Sequence, residues 1–125
     1  MVNDKNIILV IDDDEDIISY FTAVFKIRKI KSHYIYDAKN AIKFFEKHKD
    51  IVKLILMDIK LDDMSGYELA PKLLKIKNVN IVAQSAYVYY SEKIKILKCG
   101  CVDFISKPIS IKHLDKILNK YFFKD

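Results

Sequence analysis

Three aspartates placed at the ends of apolar runs have the most chemistry to offer in this chain. Ile7-Ile8-Leu9-Val10-Ile11 leads into Asp12-Asp13, and Leu54-Ile55-Leu56-Met57 leads into Asp58. If the two runs are neighbouring strands, about 4.8 Å apart, the carboxylates repel one another unless a cation joins them. A purely oxygen donor set, without His or Cys nearby, selects Mg²⁺ over zinc. That ion keeps several waters and leaves a position for a phosphate oxygen. Two further residues suit the same chemistry. Lys107 follows the run Val102 to Ser106, and the next residue, Pro108, keeps it extended rather than helical, so its ammonium is placed to meet a phosphoryl oxygen. Ser85 follows Asn80-Ile81-Val82-Ala83-Gln84 and offers a hydroxyl donor. Asp14, Glu15 and Asp16 read differently, as acids in the first turn of a helix, where negative charge is favourable.

These residues act together only if the fold gathers them. Ile7 to Ile11, Leu54 to Met57 and Asn80 to Ala83 are short continuous apolar runs, as expected of parallel strands buried on both faces; His33 to Tyr36 and Val102 to Ile105 are weaker examples. Between them, apolar residues recur at helical spacing: Ile17, Ile18, Phe21, Val24, Phe25, then Ala41, Ile42, Phe44, Phe45, then Leu69, Leu73, Leu74, Ile76. Ile94 and Leu97 continue the series, as do Ile111, Leu114, Ile117, Leu118 and Tyr121. Ser65-Gly66-Tyr67-Glu68 reads as a capping box opening the third helix, and Gly100 suits the left-handed residue closing the fourth. Pro71, inside the third helix, predicts a kink or a local break. Five β-α units with right-handed crossovers imply a doubly wound α/β fold, a five-stranded parallel sheet in order 2-1-3-4-5. Ligands in such sheets sit beyond the carboxyl ends of the strands, where the order reverses between the first and third strands. Both aspartate groups fall there.

Size and charge narrow the partners. At 125 residues the chain is expected to form one domain, 1–125, with a single core, and its 51% hydrophobic and 31% charged residues exclude a disordered polymer. The longest stretch without a charge, Asn78 to Ser91, is too short and too polar for a membrane helix, and the amino terminus does not resemble a signal peptide. Membrane contact is therefore not expected, and a cytoplasmic location is. Cys99 and Cys101 straddle Gly100 without metal spacing and read as reduced thiols. A net charge of +5 raises nucleic acid as a partner, but Arg28 is the single arginine, and Lys39, Lys43, Lys47 and Lys112, Lys116, Lys120 follow the i, i+4 stride of solvated helix faces. No direct nucleic-acid contact is expected. The acids are concentrated instead, five in residues 12–16 and three more at Asp58, Asp62 and Asp63.

The set Asp12-Asp13, Asp58, Ser85-Ala86 and Lys107-Pro108, with Ile8 to Asp14, Leu56 to Leu61, Met64 to Leu69 and Gly100 to Ile109 in order, resembles the receiver (response-regulator) domain of two-component signalling over nearly the whole chain. The resemblance implies that Asp58 accepts a phosphoryl group from a phosphohistidine on a histidine kinase or a histidine phosphotransfer protein. It implies Mg²⁺ held by Asp13, by Asp12 through water, by Asp58 and by the backbone carbonyl of Lys60. Lys107 and Ser85 would stabilise the phosphoryl group, with Ser85 and Phe104 as the switch. Lys60 and Tyr87, two positions after Asp58 and Ser85, would tune phosphoryl lifetime. Such a domain assists its own phosphorylation without being an enzyme that turns over a separate product. The words Ile81 to Tyr87 and Ile105 to Ile109 are most similar to receivers of hybrid histidine kinases, whose docking surface would be Ile17 and Ile18 with Pro108 and Ile109. Asp62 departs from the family, which often has Pro there.

Other classes fit less well. A flavodoxin-like nucleotide binder needs a Ser/Thr/Gly-rich phosphate loop where this chain has five consecutive acids. A phosphatase with an Asp nucleophile needs a second acid where Lys60 stands. A phosphorylation-independent interaction module on the same fold is the remaining alternative.

Overall fold

The computed structural model describes residues 6–86 and 89–124. Strands and helices alternate throughout: β1 Ile7–Ile11, α1 Glu15–Ile27, β2 Ser32–Ile35, α2 Ala38–His48, β3 Val52–Asp58, α3 Gly66–Ile76, β4 Asn80–Ser85, α4 Tyr90–Lys98, β5 Asp103–Ser106 and α5 Ile111–Tyr121. All strand pairs are parallel, and the sheet order is β2-β1-β3-β4-β5, as the alternation of periods predicts. β1 and β3 are central neighbours, with Ile11 opposite Met57, so the residues that follow each of them emerge side by side.

The period of two in the strands divides the interior into two apolar layers. Leu9, Ile11, Ile55, Met57, Ile81 and Ala83 face α2, α3 and α4, where Ala41, Phe45, Leu69, Leu73 and Ile96 meet them. Ile8, Val10, Leu54, Leu56, Val82 and Ile105 face α1 and α5, against Phe21, Phe25, Leu114, Ile117 and Leu118. Burial on both sides is why the central strands read as unbroken apolar runs rather than as alternating ones. Each fully buried Ile, Leu or Phe contributes about 1.5–3 kcal/mol, so the sheet supplies a rigid platform for whatever stands on its edge.

Helix starts are fixed by side-chain caps. Asp14 accepts from the Asp16 amide, Asp37 from Asn40, Ser65 from Glu68 and Ser110 from His113. Asp63 adds a cap from outside the helix, taking the amides of Ala38 and Lys39 at 3.0 Å each. The lysines on helical strides, including Lys39, Lys43, Lys47, Lys112, Lys116 and Lys120, are exposed. Gly100 closes α4 with φ +107, the left-handed backbone that its position predicts.

Pro71 corrects an expectation, because α3 runs unbroken from Gly66 to Ile76 across it. Pro71 is exposed, so its ring projects away from the sheet while Leu69, Ala70 and Leu73 stay fully buried on either side of it. Packing holds the helix through the missing hydrogen bond.

Gly66 brings α3 closest to the strand end. A Cβ there would lie 2.9 Å from the Asp58 carbonyl oxygen and 2.9 Å from Ile59 Cα, both backbone atoms that cannot swing aside. Gly66→Ala is therefore expected to destabilise the domain by about 1–3 kcal/mol. Urea unfolding measures it, and an unchanged midpoint would refute the close approach.

Candidate functional site

The carboxyl edge of the sheet gathers the residues singled out from sequence. Asp12 follows β1 directly, and its amide donates to the Ile35 carbonyl at 3.1 Å, which continues the ladder to β2. Asp58 ends β3 opposite Gln84 of β4. Ser85 ends β4 opposite Ser106 of β5, and the Lys107 amide donates to the Ser85 carbonyl at 2.9 Å. The Lys107–Pro108 peptide is cis. Strand register alone thus places Asp12, Asp58, Ser85 and Lys107 on four adjacent strand ends.

Asp12, Asp13 and Asp58 each offer a carboxylate oxygen, and these atoms all lie within 4.8 Å of one another. Asp12 is fully buried and Asp58 is 6% exposed. Lys107 Nζ lies 3.1 Å from Asp12 Oδ2 and 3.5 Å from Asp58 Oδ1, so a single ammonium bridges two of the three acids. Two backbone amides also serve the carboxylates: Asp14 donates to Asp12 Oδ1 at 2.9 Å, and Lys60 to Asp58 Oδ1 at 3.2 Å. The β3–α3 loop is held by the Lys60–Ser65 bridge and by the Gly66 amide on the Ile59 carbonyl at 2.7 Å.

The balance of these forces shows in the acidities. Burial first, and then the Asp12 charge, push the Asp58 carboxyl up from 3.8 to about 6, against the pull of Lys107 and of the Lys60 amide. Burial, Asp62 and Asp12 likewise raise Asp13. Burial pulls Lys107 down, but Asp12 and Asp58 more than offset this, and the ammonium is held above its usual value. Three clustered carboxylates against one bridging ammonium leave an excess of negative charge. The all-oxygen donor set fits a hard divalent cation such as Mg²⁺. Residues Asp12, Asp13 and Asp58 could hold it.

Beside the acids opens a cleft of about 380 Å³ lined by Asp58, Ile59, Lys60, Gln84, Ser85, Ala86, Tyr89, Glu92 and Lys107. Phe104 is half-buried against the layer that faces α2, α3 and α4, with Lys93 Nζ 5.4 Å from its ring centroid. Of the proposed docking residues, Pro108 is exposed, while Ile17 and Ile109 sit half-buried at the rim of the α1/α5 layer. Ile18 is a correction: it is buried in that layer, because it faces the sheet one position round the helix from Ile17, and it offers no docking surface. Tyr87 lies outside the described residues.

Sequence reasoning did not single out three members of the site. Gln84 is fully buried beside Asp58, and neither amide atom has a hydrogen-bond partner among the described residues. Its signal was a polar residue one place before Ser85 in an otherwise apolar strand. Tyr89 and Glu92 enter the cleft from the start of α4, and Glu92 accepts a hydrogen bond from the Tyr67 hydroxyl. Asp63, grouped with Asp58 by sequence alone, caps α2 instead.

A raised carboxyl pKa is a stability cost with a defined pH window. Below 3.8 Asp58 is protonated in both the folded and the unfolded chain; above about 6 it is ionised in both, and the folded state bears the full penalty. With divalent cations chelated, Asp58→Asn is therefore expected to stabilise the domain by about 1–3 kcal/mol at pH 7.5. The gain should shrink as the pH falls below about 6 and vanish only at about pH 3, below the unfolded value of 3.8. Thermal unfolding across this range is the check, and a gain independent of pH would contradict the origin assigned to it.

The comparisons with known proteins agree with this geometry. The family model described as "Response regulator receiver domain" matches residues 8–119. Among curated proteins, the heme response regulator HssR of Staphylococcus aureus (strain Newman) is 28% identical over 106 residues, 85% of this chain and 46% of that protein. The chain spans less than half the length of the curated relatives it matches first. Among solved structures, the receiver domain of the Saccharomyces cerevisiae response regulator Ssk1, crystallised with the histidine phosphotransfer protein Ypd1, aligns with a TM-score of 0.85 at 23% identity, covering 97% of this chain and 91% of that one. The receiver domain of the Pseudomonas aeruginosa PAO1 sensor histidine kinase PA1611, with a magnesium ion in its active-site cleft, aligns at 0.82 and 22%, covering 93% and 96%. On the fold, the strand-end carboxylates and the match over residues 8–119, the chain belongs to the receiver domain family of two-component response regulators.

Proposed function

We propose that Asp58 accepts a phosphoryl group from a phosphohistidine on a partner, a histidine kinase or a histidine phosphotransfer protein, and that residues 1–125 act as one receiver unit in such a relay. The observation that carries this reading is the meeting of Asp12, Asp13 and Asp58 within 4.8 Å, two of them bridged by Lys107, at the mouth of an open cleft. Asp12, Asp13, Asp58 and the Lys60 backbone carbonyl would hold Mg²⁺. When bound, that ion supplies neutralisation of the charge that gathers on the phosphoryl oxygens.

The chain's own residues account for the rest. A carboxylate oxygen of Asp58 bonds to phosphorus as the phosphorus–nitrogen bond breaks, and the imidazole nitrogen leaves with that electron pair. Lys107, already paired with Asp58, exchanges a carboxylate for the phosphoryl oxygens, where a preorganised cation counts most. Ser85, 8% exposed and lining the same cleft, donates its hydroxyl to another of them. The added charge of about −1.5 to −2 draws Ser85 and Lys107 inward. Phe104, half-buried on the strand beside Ser85, turns into the space they vacate. Docking of the partner falls to Pro108, Ile109 and Ile17. The domain assists its own phosphorylation and dephosphorylation without turning over a separate product. Among the described residues no helix is long and apolar enough to cross a membrane.

Incubation with a phosphorylated histidine phosphotransfer protein, or with a small phosphoramidate donor, tests the reading. Wild type should be labelled in the presence of Mg²⁺ and lose labelling with chelator. Asp58→Asn should take no label, and Lys107→Ala should fall by about 2–3 orders of magnitude. Equal labelling of Asp58→Asn would overturn the assignment and favour an interaction module that needs no phosphoryl group.

Lys60 and Tyr87 set the lifetime of the acyl phosphate in this reading, a bulky Tyr87 keeping water from it. Tyr87→Ala should shorten that lifetime roughly tenfold, as expected when a shield against attacking water is removed. Decay of label after donor removal measures it, and an unchanged rate would exclude Tyr87 from this role.

A further inference from the structure

We propose that Cys99 and Cys101 form a dithiol–disulfide site, oxidised by a peroxide to a bond that spans Gly100. The two sulfurs lie 3.6 Å apart in a hydrogen-bonded pair. The end of α4 puts them there. Cys99 and Cys101 donate their amides to Lys95 and Ile96 at 3.0 and 3.2 Å, and the positive φ of Gly100 between them turns the chain so that both side chains fall on one side. A disulfide needs sulfurs about 2.05 Å apart and Cα atoms about 4.4–6.8 Å apart, so the sulfurs must close a short remaining gap.

The two thiols are unequal in a useful way. Cys101 is 4% exposed and packs in the layer beneath α3 and α4, while Cys99 is half-buried and is the sulfur an oxidant reaches first. In its neutral form Cys99 donates to the Ile96 carbonyl at 3.1 Å. Once it has lost its proton, it accepts from the Cys101 thiol. That hydrogen bond pulls Cys99 down to about 7, against the cost of burial, and pushes Cys101 up. A low-pKa, reachable thiol beside a second thiol is the arrangement of attacking and resolving cysteines.

The Cys99 thiolate attacks a peroxide oxygen; the O–O bond breaks, giving a sulfenic acid and, with a proton, water. The Cys101 sulfur then attacks the Cys99 sulfur, loses its own proton and expels a second water. Two thiols lose two electrons and two protons, and one hydrogen peroxide becomes two waters. A metal is the weaker reading of the pair, since the only cluster of three or more His, Cys, Asp or Glu ligands among the described residues is that of Asp12, Asp13 and Asp58. The site needs nothing from the phosphoryl chemistry, although α4, which it anchors, also carries Tyr89 and Glu92 into the cleft.

The test uses the full chain, reduced, freed of reductant and treated with hydrogen peroxide at neutral pH, then alkylated and digested with trypsin. Trypsin does not cut before Pro108, so both cysteines fall on one peptide, Cys99 to Lys112. Mass spectrometry should show that peptide short of two hydrogens and unalkylated, with both labels regained after dithiothreitol. In Cys101→Ala the sulfenic acid at Cys99 should become trappable by dimedone. Cys99→Ser should react with peroxide roughly tenfold more slowly than wild type. Circular dichroism identifies any variant that fails to fold, and the wild-type measurement stands without them. Overturning results are a folded wild type that keeps both thiols alkylatable, one that forms only bonds between chains, or one that carries Cys99 to the sulfinic acid without closing the pair.

Discussion

Repulsion among three carboxylates at two neighbouring strand ends is the constraint on which the rest of the structure depends. Asp12 and Asp58 are almost fully withdrawn from water, yet their oxygens and one from Asp13 share a sphere of 4.8 Å. Left alone, such a cluster would part or take up protons. Here Lys107 holds two of its members, and the Asp14 and Lys60 amides occupy one oxygen of each. The compensation is incomplete, as the raised Asp58 and Asp13 show. The site is therefore poised, and it gains when a cation arrives to take up the charge that Lys107 leaves unbalanced.

Holding charges in that state takes a stiff frame. β1 and β3 are buried on both faces, and the two apolar layers lock the side-chain alternation of each strand, since a slip of one residue would exchange the layers. Register then carries through to the edge without further design. Ile11 opposite Met57 puts Asp12 beside Asp58, and Ser85 opposite Ser106 puts Lys107 next in line. The strand that supplies Ser85 and the one that supplies Lys107 are also joined by the Lys107 amide on the Ser85 carbonyl, so the hydroxyl and the ammonium shift as one edge.

The legible part of this was whatever depends on local pattern. Short apolar runs ending in acids marked β1 and β3, helical strides of lysine marked solvated faces, and Gly100 marked the close of α4. Sequence also separated Asp14, Glu15 and Asp16, the opening of α1, from Asp12 and Asp13, the site. What pattern could not reach was contact made across the fold. Asp63 stands next to Asp62 in the chain but spends both oxygens on α2 amides. Ile17 and Ile18 are equally apolar, and only the angle of α1 on the sheet decides that Ile18 is core. Pro71 is a helix breaker by local rule, and packing of α3 on both sides of it overrides that rule. Glu92 and Tyr89 reach the cleft through the placement of α4, which no residue spacing announces.

Gln84 shows most directly how the edge differs from the core beneath it. A fully buried amide without a hydrogen-bond partner among the described residues is costly to keep, and an apolar residue at that position would continue β4 as Ile81, Val82 and Ala83 begin it. The violation falls beside Asp58, at the boundary between the apolar sheet and the polar cleft, where the raised carboxyl and the crowded acids also fall. Proteins retain such local costs at sites that do chemistry and compensate for them elsewhere. Here the compensation is the pair of apolar layers, and the costs are confined to the last residue or two of each strand. The same division sets the carboxylates apart from the thiols: the carboxylates stand on the sheet edge beside the cleft, and the thiols stand at the far end of α4, where the chain turns back into the core.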